Sequence, residues 1–127
     1  MQKIFVRIVA LYLFWFSIVF ILAITAGDSL FLSEGTFLGD LLIRRPYQID
    51  FELMFTVLFF VWGIFLWKAS SRLDQSQLFL RFSGWAFLTH ATVFIIIGLI
   101  KSEVLTHAIT DGIGWALTGT LLFKANK

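Results

Sequence analysis

The sequence predicts an all-α fold: an integral membrane four-helix bundle with an interfacial segment between helices 1 and 2. Three observations lead there. Of the 127 residues, 59% are hydrophobic and only 14% charged, whereas about one-quarter of a soluble domain is charged. The apolar residues gather into four stretches, at about 8–26, 52–68, 82–100 and 104–123, each near the ~20 residues that cross about 30 Å of hydrocarbon. Charged residues bracket these stretches more than they interrupt them. The chain therefore reads as a single transmembrane domain, 1–127, with the lipid bilayer as its first partner.

The first stretch follows Lys3 and Arg7 and leads into Gly27-Asp28. It is longer than the roughly 7–15 apolar residues of a signal peptide and shows no small-x-small cleavage site, so it is expected to stay as an anchor. In the segment that follows, Leu30, Phe31, Leu32, Phe37, Leu38, Leu41, Leu42 and Ile43 interleave with Asp28, Glu34 and Asp40. This spacing predicts a short amphipathic helix lying on the membrane and ending before Arg44-Arg45-Pro46, because the residue before proline disfavours helix. Asp50 is expected to cap the second helix, with Glu52 in its first turn. A short polar connection, 69–77, leads to the third helix. The turn around Lys101-Ser102-Glu103 is so brief that helices 3 and 4 must be antiparallel neighbours, and Lys124 and Lys127 close the fourth. No internal repeat is visible.

Orientation follows from Lys and Arg. A cytoplasmic N-terminus puts Lys3, Arg7, Lys68, Arg72, Arg81, Lys124 and Lys127 inside and leaves Arg44, Arg45 and Lys101 outside, seven against three. The positive-inside rule then predicts a multi-pass membrane protein with N- and C-termini cytoplasmic. So strong a bias argues against a dual-topology multidrug exporter. The net charge is only +2 and the cations fall in ones and twos at helix ends, which is no footprint for nucleic acid. With no cysteine, disulfides, thiolate catalysis, iron–sulfur clusters and cysteine zinc sites are excluded.

Ionisable groups inside the spans are the candidate site, since each costs roughly 2.5–3.5 kcal/mol at a helix centre unless compensated. They are Glu52, His90, His107 and Asp111. With the tight outer turn as pivot and about 1.5 Å rise per residue, His90 and Asp111 come within roughly 3–5 Å in depth. Glu52 and His107 form a second pair nearer the mouth. His107, Asp111, Gly114 and Thr118 share one face of helix 4; Ser83, Ala86, His90 and Phe94 share one of helix 3; Glu52, Thr56, Phe59 and Gly63 share one of helix 2. These faces predict a polar pocket in the outer half and a drier inner half, with Thr118 its main polar group. Each residue also has a structural reading: Glu52 facing the helix dipole, His107 touching headgroups, His90 and Asp111 tying two helices together.

The same residues admit chemistry. His107 and Asp111, one turn apart, with His90 or Glu52, offer nitrogen and carboxylate ligands suited to zinc, iron or manganese. A haem shared by His90 and His107 is strained by a depth difference of roughly 10 Å. Ala86-x-x-x-His90 matches the spacing by which light-harvesting helices hold bacteriochlorophyll, on two residues alone. His90 and Asp111 could act as an acid–base couple, but nothing marks a nucleophile or phosphate cradle, so enzymatic activity and cofactor stay open. A carrier would call for inverted repeats. The 16 phenylalanines and five tryptophans favour packing against lipid, an apolar ligand or other subunits. The leading expectation is an accessory or self-associating membrane subunit, in a homo-oligomer or larger membrane complex. The alternative is a metal- or small-ligand-binding membrane protein.

Between Tyr47 and Ala116 the chain resembles a family of small bacterial four-helix integral membrane proteins known as a domain of unknown function. The resemblance rests on Tyr47 through Glu52-Leu53-Met54, on Gly63-Ile64-Phe65-Leu66-Trp67-Lys68-Ala69, and on Trp85 with Leu88-Thr89-His90. It implies four helices and transfers no activity or catalytic residue. Lys101-Ser102-Glu103 and the outer segment depart from it.

Overall fold

The computed structural model describes residues 1–26, 49–101 and 105–125, with helix residues 23, 24, 26, 49, 51, 52, 106 and 107 described in backbone only. The described residues form four α-helices and no strand: α1 (Gln2–Ala26), α2 (Ile49–Ala69), α3 (Gln77–Ile100) and α4 (Leu105–Ala125), with a 3₁₀ turn at Leu73–Gln75 before α3. The expected interfacial helix, within 27–48, lies outside the described residues.

Most helices outrun their apolar stretches, because hydrophobicity marks what avoids water and not where helical hydrogen bonding ends. Thus α1 starts at Gln2 and carries Lys3 and Arg7 in its first turns, and α3 starts at Gln77, five residues before the apolar run; Gln, Leu and Arg there are good helix formers. Asp50 is not the cap of α2. It sits inside the helix, which begins at Ile49, so its carboxylate complements the helix dipole from within the first turn.

α3 and α4 are the most closely packed pair, and small residues make that possible. Gly84, Ala91 and Gly98 recur every seven residues along α3 and meet Ala108, Gly112 and Gly119 of α4. A methyl group on Gly119 would stand 2.8 Å from the Gly84 carbonyl oxygen, and one on Gly112 would stand 3.5 Å from the Ala91 carbonyl oxygen. α1 and α2 form a second close pair around Gly63, whose missing side chain leaves room for the Phe14 ring and the Ala10 carbonyl. Ser17 ties this pair by donating to the Thr56 carbonyl at 3.2 Å. The two pairs join where α1 meets α4. α2 and α3, although linked by the short 69–77 connection, meet chiefly through side chains: the Trp62 indole N–H donates to Ser83 Oγ at 2.9 Å, and its ring lies 5.0 Å from Phe87.

Lys3, Arg7, Lys68, Arg72, Arg81 and Lys124 all fall at one end of the bundle, the basic end. Two helical segments, Gln2–Leu22 and Gln77–Ile100, are long and apolar enough to cross a membrane, and Leu53–Ala69 is a shorter apolar helix.

Substitution at the α3–α4 seam is expected to be graded by what the new atoms meet. Gly119→Val drives a branched side chain against helix backbone and should lower stability by about 1–3 kcal/mol. Gly114→Ala meets only the far end of a tyrosine side chain, the Tyr12 hydroxyl at 3.0 Å, and should cost clearly less. Thermal unfolding of the two variants in the same detergent measures the difference.

Candidate functional site

The centre of the bundle is a set of stacked rings. Trp115 on α4 is 1% exposed and receives rings from all three other helices. Phe59 of α2 stacks on it at 4.6 Å and Phe87 of α3 lies parallel to it at 5.3 Å. Tyr12 and Phe16 of α1 meet it edge-on at 5.9 and 5.5 Å, and His90 of α3 meets it edge-on at 5.5 Å. Offset and edge-to-face contacts of this kind add about 0.5–1.5 kcal/mol each beyond the area they bury.

The polar groups border this aromatic floor. The His90 imidazole is half-buried, 4.8 Å from the Phe94 ring and 6.4 Å from the Phe55 and Phe59 rings. Asp111 is half-buried one helical turn before Trp115. The Tyr12 hydroxyl rests over Gly114, where any side chain would begin to displace it. The Tyr12 phenol of α1 and the His90 imidazole of α3 thus both meet the Trp115 indole, with the Asp111 carboxyl one turn earlier on α4. Each can donate or accept hydrogen bonds.

Sequence reasoning named His90 and Asp111 and missed Tyr12. A lone phenol inside the apolar run 8–26 carries little signal. Only its amphipathic nature, a ring that prefers apolar surroundings with a hydroxyl that needs a partner, marks it. On the polar stripe of α4, Asp111 is half-buried, Gly114 sits under Tyr12, and Thr118 is buried, with its hydroxyl donating to the Gly114 carbonyl at 2.8 Å. On α2, Thr56, Phe59 and Gly63 all face inward. On α3 the fully buried face runs through Leu80, Ser83, Gly84, Phe87, Ala91 and Gly98, which leaves His90 at its edge. Toward the basic end the bundle buries Ser83 and Ser70 besides Thr118, each held in a hydrogen bond, the former to Trp62 and the latter to the Trp67 carbonyl.

Glu52 and His107 lie in the first turns of α2 and α4, and their side chains are outside those described. The pairing expected between them, and the metal set His90, His107 and Asp111, therefore lie outside the described side chains as well. Among the described residues no three His, Cys, Asp or Glu side chains come together around one position. No family model matches the chain, and no curated protein or solved structure is significantly similar to it.

Trp115→Ala removes the ring that every other helix touches and should destabilise the bundle by about 3–5 kcal/mol. Trp115→Phe keeps part of the stacking and should cost less than half as much, a ranking that denaturant unfolding followed by far-UV circular dichroism resolves.

Proposed function

We propose that the chain is a four-span bundle of a bacterial inner membrane with both termini cytoplasmic, serving as an accessory or self-associating subunit through its outer surface. One observation carries this reading: every helix turns large apolar side chains outward. On α1 these include Ile8, Leu11, Trp15, Ile18 and Leu22; on α2, Leu53, Val57, Phe60 and Phe65; on α3, Phe82, Trp85, Val93 and Ile96; on α4, Ile109, Ile113 and Leu117. A soluble monomer rarely exposes a continuous apolar patch above a few hundred Å², whereas hydrocarbon favours such a surface.

Two further features agree with it. The exposed hydroxyls of Thr92 and Thr120 donate back to the carbonyls four residues earlier, at 2.9 and 2.8 Å, which satisfies them without water. The cations at the basic end fit the cytoplasmic side. The ring-filled centre favours a role at the surface over passage through the bundle, and the half-buried His90 and Asp111 fit a polar tie between α3 and α4 on the outer side of that centre.

Because the sequence has no cysteine, single-cysteine labelling tests the topology directly. In intact cells, Lys101→Cys should react with an impermeant maleimide while Arg72→Cys and Lys124→Cys stay protected until the membrane is opened. The opposite pattern, or equal labelling of all three, overturns the proposed arrangement.

The polar tie is tested separately. His90→Ala and Asp111→Asn should each lower thermal stability in detergent, and the double variant should lose less than the sum, as a shared interaction requires. Additive losses would show that the two groups do not act on each other.

A further inference from the structure

Beside the α1–α2 seam, near the basic end, an open groove of about 240 Å³ is lined by Leu11, Phe14, Ile64, Trp67 and Lys68. Its walls are apolar except at one end. There Lys68 is exposed, and the Arg7 guanidinium lies 5.0 Å above the Trp67 ring. Ser70 fixes Arg7 by accepting from its Nε at 3.4 Å, while the Ser70 hydroxyl itself donates to the Trp67 carbonyl at 2.6 Å. Lys3, one turn before Arg7 on α1, is exposed beside them. Trp67 is thus both a wall of the groove and the platform that carries a second cation to its mouth. The volume falls below the roughly 300–1,000 Å³ of sites that enclose a compact cofactor or drug-sized molecule. An open apolar groove of this size suits a single alkyl chain lying along it.

We propose that this groove holds an anionic phospholipid, one acyl chain lying along Leu11, Phe14 and Ile64 and the phosphate held between Lys68 and Arg7. Charge complementarity selects the occupant: the slot ends in cations, and a phosphate oxygen accepts charge-assisted hydrogen bonds from both an ammonium and a guanidinium. Trp67 at this level matches the amphipathic rings that settle among headgroups. A zwitterionic lipid would fill the slot and offer a phosphate, but its own ammonium would offset the negative charge that the two cations attract. Free phosphate would answer the cations but leave the slot open. The inference rests on the membrane reading above and adds to it a position and a headgroup preference.

The test is native mass spectrometry of the full chain purified in detergent and offered phosphatidylglycerol, phosphatidylcholine or inorganic phosphate. One phosphatidylglycerol should be retained per chain in preference to phosphatidylcholine, and phosphate should not displace it. Lys68→Gln should weaken retention by about five-fold, the usual effect of one cation near an anionic headgroup. Ile64→Trp, which fills the slot from its exposed side, should remove retention while thermal stability without added lipid is unchanged. Equal retention of both lipids, no effect of Lys68→Gln, or a dimer of the chain that lipid does not dissociate would overturn the proposal and leave the four-span bundle standing. A chain that stays dispersed in water without detergent would overturn the membrane reading itself.

Discussion

The burial of Trp115 where four helices meet is the constraint on which the rest of the structure depends. On α4 it lies in the same stripe as Ala108, Gly112 and Gly119, and the contrast in size along that stripe sets the geometry. The glycines let the α3 backbone come close, as the 2.8 Å between a methyl at Gly119 and the Gly84 oxygen illustrates. The indole then fills the centre between Phe59 and Phe87. Were the flanking residues large, α3 would stand off and the Phe87 ring could not lie parallel to the indole. If the bundle lies in hydrocarbon, as proposed above, no hydrophobic drive acts between its helices, and close packing and ring contacts supply what water exclusion supplies elsewhere. A bundle that assigns small residues to its seams and large rings to its centre obtains both.

Polar groups follow the same logic of local satisfaction. Ser17 is buried and bonds both the Leu13 carbonyl on its own helix and the Thr56 carbonyl on α2. Thr118 turns back to Gly114, and Ser83 accepts from Trp62 across the α2–α3 gap. Short hydroxyl side chains can do this because they reach a carbonyl one turn back at little conformational cost. A histidine or an aspartate cannot close on its own helix so easily. His90 instead lies among rings of α2 and α4 as well as its own helix.

How much of this was legible in the sequence depends on the range of each signal. The four helices were legible because an apolar run some 20 residues long is a local property. The inward face of α2 was legible because 3.6-residue periodicity places Thr56, Phe59 and Gly63 on one side, whereas on α4 the stripe of Asp111, Gly114 and Thr118 borders the buried face, which runs through Ala108, Gly112, Trp115 and Gly119. Depth was legible to about a turn from the tight connection between α3 and α4. Neighbour relations were not. The 69–77 connection suggests that α2 and α3 are as intimate as α3 and α4, yet Gly63 directs α2 toward α1, and Trp62, Phe59 and Phe87 hold α3 at ring distance. Tyr12 escaped for the same reason: its importance comes from Gly114, a hundred residues away along the chain. Asp50 was misplaced by two positions, because a carboxylate serves a helix N-terminus either as cap or as first-turn charge and local sequence does not choose between them.

The uneven seams have a mechanical consequence. α1–α2 and α3–α4 are held by backbone approach, which leaves little freedom, and α1 joins α4 directly. The α2–α3 seam is closed by side chains: Trp62 on Ser83 and Phe87, and the His90 imidazole beside Phe55 and Phe59. Side-chain contacts can be exchanged by rotation about χ angles, whereas a glycine seam opens only by moving a helix. His90, on the edge of the buried face of α3 and beside the Phe55 and Phe59 rings of α2, sits on the seam that side chains rather than backbone close.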